Sequence, residues 1–86
     1  MKPMDEIRDR IKLIMVEKLG LAETEITPDA NFIKDLGIDS LDYAELVMEF
    51  EQAFKIKIPD NEAEDLQTIR QAVQYISKKM AEEEKA

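Results

Sequence analysis

The sequence predicts a small all-α protein: a four-helix bundle with three main helices, a short third helix and a long first loop. Three observations carry this. Apolar residues recur at helical spacing in three separate stretches, no stretch alternates as a half-buried strand does, and Gly20, Gly37 and Pro59 fall between the stretches. At 86 residues the chain makes a single domain, 1–86, with a core expected over about 4–80 and a charged, frayed tail at 81–86.

The first helix is expected from Met4 to Leu19, with Met4, Ile7, Ile11, Ile14 and Met15 as its apolar stripe, Pro3 at its first turn and Gly20 as its stop. From Leu21 to Ile38 runs a packed connection, with room for a short helical turn, anchored by Ile26, Phe32, Ile33 and Leu36. The second helix is expected from Ser40 to Phe54, with Asp39 as its N-cap and Asp42 in its first turn. "KIKIPDN" follows, and Pro59 cannot continue a helix. A minor turn is expected over Asn61 to Leu66. The last helix starts at Thr68, where "TIRQ" has the form of a capping box, and carries Ile69, Val73, Ile76 and Met80 on one face.

Composition excludes several chemistries. Without cysteine there is no disulfide or thiolate metal site, and without histidine no Ser-His-Asp triad or histidine-based zinc site. The charged start is not a secretory signal, and no apolar run approaches the ~20 residues that span a bilayer. The net charge of −8 falls wholly within residues 35–65, which hold ten acidic residues and two lysines. Nucleic acid is a poor partner for such a surface, and a basic protein patch a good one. The Asp-rich loop fails the EF-hand pattern: counted from Asp35, the sixth and twelfth positions are Ser40 and Leu46, and counted from Asp29 they are Lys34 and Ser40. No metal site is expected.

Turning the second helix by about 100° per residue puts Tyr43, Leu46, Val47, Phe50 and Phe54 on the core side. Leu41, Ala44 and Met48 fall opposite, beside Glu45 and Gln52 and flanked by Asp42 and Glu49. This is either an ordinary solvated face or a docking helix, with methyl groups for contact and carboxylates for steering. No basic residue lies between Lys34 and Lys55, so self-repulsion is expected, to be relieved by changing Glu49 and Glu51 to Gln. Ser40 lacks a G-x-S-x-G setting, a histidine base and a lysine three residues on, and is no nucleophile for hydrolysis. It is a first-turn residue or a site of modification; a phosphate ester there faces unpaired amides. On its physics alone the plainer role is favoured.

The stretch "DLGIDSLDYAELVMEFEQAFKIKIPDNEAEDLQTI" resembles the acyl carrier protein family: the D-S-L triplet, the preceding L-G, the following E-L-V and the later F-x-x-x-I-P fall where that family has them. The likeness runs from about Ile7 to Ile76. It implies a non-catalytic carrier whose Ser40 bears 4'-phosphopantetheine, attached covalently from coenzyme A by a separate phosphopantetheinyl transferase. The arm's thiol would hold acyl groups as thioesters for enzymes of fatty acid, lipid or related polyketide synthesis. The implied partners are acyl transferases, ketoacyl synthases and other lipid enzymes with basic patches, meeting Asp39, Leu41, Asp42, Ala44, Glu45 and Met48. A growing chain would enter a cavity involving Leu46, Val47, Phe50, Ile58, Ala63, Leu66 and Ile69. The protein is expected to be a monomer, cytoplasmic or organellar in a bacterial-type pathway. Lys55 and Lys57 stand where such carriers are often acidic, and Tyr43 where the residue is commonly smaller. A carrier dedicated to a secondary or lipid pathway therefore stays open, with a peptidyl carrier less favoured. An unmodified acidic helical adaptor is the alternative from another class.

Overall fold

The computed structural model describes residues 4–84. It contains α1 (Met4–Leu19), a 3-10 turn (Glu23–Glu25), α2 (Ser40–Phe54), α3 (Asp60–Ala63) and α4 (Ile69–Glu84). Among the described residues there is no strand, only an isolated bridge between Asn31 and Thr68. The all-α bundle expected from the sequence is the fold found.

In α1, Ile7, Ile11, Ile14 and Met15 are buried against α4 and α2. Met4 belongs to the expected stripe but is exposed, lying in the first turn at the rim of a cleft that Pro28, Ile69 and Val73 also line. The expected place of Pro3 lies outside the described residues. Gly20 closes the helix with φ +68° and an amide that donates to the Val16 carbonyl. A left-handed residue past a helix end is what glycine adopts without strain.

The long connection is held by its own side chains and by α4. Asn31 Oδ1 accepts from the Ile33 and Lys34 amides, and Asp35 Oδ2 accepts from the Asn31 amide at 2.7 Å. The Phe32 amide donates to the Gln67 carbonyl, and the Ile69 and Arg70 amides donate to Ala30 and Pro28. Ile26, Ala30, Phe32 and Ile38 are buried, whereas Leu36 is half-buried. Ile33, expected as an anchor, is exposed: the Asn31 turn puts its amide on the inside and its side chain at the rim of a cleft.

Asp39 caps α2 as expected, accepting from the Asp42 amide at 2.8 Å. Its replacement by Ala is expected to lower stability by ~1 kcal/mol, seen as a fall in the thermal midpoint of about 4–8 °C. The helix ends before Pro59 acts. Lys55 takes a left-handed conformation (φ 56°, ψ 48°), and the Lys55 and Ile56 amides both return to the Glu51 carbonyl. α3 is shorter than expected, but single turns continue its path to Leu66, whose amide donates to the Ala63 carbonyl. At α4 the capping box is present: Thr68 Oγ1 accepts from the Gln71 amide, and Gln71 Oε1 from the Thr68 amide. The helix then runs past Met80 to Glu84, so residues 81–84, expected to fray, are helical; 85 and 86 lie outside the described residues.

Candidate functional site around Ser40

Ser40 is the first residue of α2 and is exposed. Its placement follows from local chemistry on both sides. Gly37, at φ +68°, donates to the Ile33 carbonyl and turns the chain, and Ile38 then anchors it in the core with its amide on the Phe32 carbonyl. Asp39 follows in extended conformation (φ −79°, ψ 171°), and its capping bond starts the helix. The Asp39 side chain takes the Asp42 amide and its carbonyl takes the Tyr43 amide. Among the described residues, no acceptor takes the amides of Ser40 and Leu41, and nothing hydrogen-bonds the Ser40 hydroxyl. A phosphodiester on that oxygen therefore meets open space and two unpaired donors at the positive end of a helix.

The outer face of α2 follows the helical projection. Leu41 and Met48 are 68% and 56% exposed, Asp39, Ala44 and Glu45 are exposed, and Asp42 is half-buried. One residue not foreseen joins them. Lys18, at the end of α1, pairs with Glu49 at 3.3 Å across a groove of about 220 Å³ that Asp42, Glu45 and Met48 also line. Glu51 is engaged as well, its Oε2 accepting from the Ile58 amide at 2.8 Å. Glu49 thus has a basic neighbour and Glu51 a hydrogen-bond donor. Both partners lie beyond the helical neighbours that sequence spacing reveals: Lys18 is on another helix and Ile58 beyond the helix end.

Leu46, Val47, Phe50, Ile58, Ala63 and Ile69 lie together in the main core. Leu66 is buried beside a separate cleft of about 330 Å³, bordered by Phe32, Ile33 and Tyr43. Tyr43 is half-buried, its ring tilted against Phe32 at 5.4 Å and its hydroxyl 2.6 Å from the Ala63 carbonyl and 2.7 Å from that of Leu66. Burial pushes the phenol up to about 12, so it remains a donor at neutral pH. No described helix is long and apolar enough to cross a membrane.

Residues 9–76 match the family described as "Phosphopantetheine attachment site". The match covers most of the chain, including the whole of α2 and α3. Members carry 4'-phosphopantetheine covalently, and the exposed hydroxyl and open helix start described above fit such a group. The long loop, the four helices and the family match agree: the chain belongs to the phosphopantetheine attachment family, as a carrier protein of the acyl carrier protein type.

Proposed function

We propose that Ser40 is the attachment residue and that the protein delivers acyl thioesters, in the cytoplasm, to enzymes of fatty acid or related lipid synthesis. The observation that carries this is an exposed, unengaged serine at the first position of α2, in the D-S-L triplet inside the matched region. Ser40 supplies the hydroxyl oxygen that becomes the phosphodiester, as the pyrophosphate P–O bond of coenzyme A breaks and adenosine 3',5'-bisphosphate leaves. Its proton goes to a base on the transferase, since the chain has no histidine to take it. Asp39 orients the serine by fixing the helix start. The arm supplies a thiol that a cysteine-free chain lacks, for thioester formation.

The test is mass spectrometry after incubation with coenzyme A and a broad-specificity phosphopantetheinyl transferase. One phosphopantetheinyl unit on the peptide containing Ser40 is expected; an unmodified protein returns the adaptor reading.

Asp39, Leu41, Ala44, Glu45 and Met48, all exposed, and the half-buried Asp42 are the proposed docking surface, supported by exposed methyl groups among carboxylates. Glu45→Lys should slow association with a basic-patch synthase severalfold and flatten its salt dependence. Met48→Ala should instead speed dissociation by about tenfold, by removing a contact that excludes water. Stopped-flow binding separates the two effects, and unchanged rates in both variants would move the docking surface elsewhere.

A further inference from the structure

Both tyrosines of the chain end on the same short element. Tyr43 reaches from α2 to the Ala63 and Leu66 carbonyls, at the end of α3 and just beyond it. Tyr75 reaches from α4 and donates to Glu62 Oε1 at 2.7 Å. Burial first, then the hydrogen bond and charge of Glu62, push the Tyr75 phenol up, so it too stays protonated.

α3 has little else to hold it. It is four residues long, too short to be stable alone. Asp60, Asn61, Glu64 and Asp65 are exposed, so its apolar anchorage is one alanine and one leucine, Ala63 and Leu66. The Ala63 carbonyl at its end accepts from the Leu66 amide in the turn that follows and from the Tyr43 hydroxyl. Two hydroxyl bonds are therefore a large share of its attachment. Ala63 shares the main core with Leu46, Val47, Phe50 and Ile69, all closed to solvent. Tyr43 stands three residues after Ser40, in the first turn and on the core side of the same helix. Its hydroxyl ties the start of α2 to the end of α3, and so closes the seam between them on the Ser40 side.

We infer that Tyr43 and Tyr75 form a clasp on α3 that sets how much of an attached alkyl chain the core admits, and that the closed clasp keeps the cargo largely outside. Tyr43 is the specificity-determining member, because its bonds span the seam through which the chain would enter. With the seam shut, the cleft bordered by Phe32, Ile33, Tyr43 and Leu66 is the apolar surface nearest the clasp. The cargo role rests on Ser40 as the attachment residue; the clasp itself does not.

Tyr43→Phe, Tyr75→Phe and the double variant remove the hydroxyls and keep the rings. In the unloaded protein, amide hydrogen exchange at residues 62–66 should quicken by about fivefold to tenfold in Tyr43→Phe and further in the double variant, with α1 unchanged. After loading with decanoyl coenzyme A and a transferase, hydroxylamine cleaves the thioester to a hydroxamate and a free thiol. That cleavage should be severalfold slower in Tyr43→Phe than in wild type, because the opened seam shelters more of the chain. Unchanged exchange in the double variant overturns the clasp. Quickened exchange with equal cleavage rates leaves the clasp a structural tie and overturns its cargo role. If Ser40 takes no arm, the attachment reading fails and the cargo role with it, while the exchange measurement still decides the clasp.

Discussion

Ser40→Ala is expected to abolish the gain of a phosphopantetheinyl unit completely while leaving the bundle folded. The two outcomes separate because the capping bond belongs to the neighbouring residue: Asp39 accepts from the Asp42 amide, and no hydrogen bond engages the Ser40 hydroxyl among the described residues. Losing an exposed hydroxyl at the first position of a helix should change stability by less than ~0.5 kcal/mol. Asp39→Ala is expected instead to cost stability, by losing the capping bond. Mass spectrometry of the intact variant and a thermal melt suffice. A mass gain that persists in Ser40→Ala, carried for instance by Ser77, would remove Ser40 from the site.

Phe50→Ala should be among the most damaging single changes to the fold. Phe50 is 1% exposed and sits in the main core with Leu46, Val47 and Ile69. Truncating such a ring costs ~3–5 kcal/mol, through lost burial and the space left behind. A chain of this length has a total stability of roughly 4–13 kcal/mol, at ~0.05–0.15 kcal/mol per residue. The variant should therefore lose between about a quarter and all of its stability margin, read as a large fall in the urea midpoint. Met48→Ala, on the same helix but 56% exposed, should unfold close to wild type. A Phe50→Ala midpoint near that of Met48→Ala would contradict the packing described here. Together the two substitutions divide α2 into a face that holds the fold and a face free for other work.

The helices were legible because their ends are written in local chemistry. The bounds of α1 and α2 are those expected, and Thr68 with Gln71 announces α4. In each case the interacting groups are four residues apart or fewer, so spacing along the chain suffices to find them. The outer face of α2 was legible for the same reason, since helical periodicity alone separates Leu41 and Met48 from Leu46 and Phe50. Ser40 is different. Its residue type and position allow a cap, a first-turn residue or a modification site, and only the resemblance of the surrounding stretch, supported by the family match, favours the last.

By itself the sequence determined the helical class, the order of the helices, the bounds of α1 and α2, the acidic middle and the exposed serine that opens α2. The tertiary structure decided which groups meet across elements. Met4 and Ile33 have the composition of core residues, yet each is exposed at the rim of a cleft. Glu49 and Glu51 resemble idle surface charges until Lys18 and the Ile58 amide are placed beside them. The Tyr43 hydroxyl meets carbonyls 20 and 23 residues away, and Tyr75 meets a carboxylate 13 residues away. The physical reason is common to all of them. A hydrogen bond or ion pair between distant residues depends on how helices dock and how loops close, which the packing of the whole core sets and no local spacing encodes.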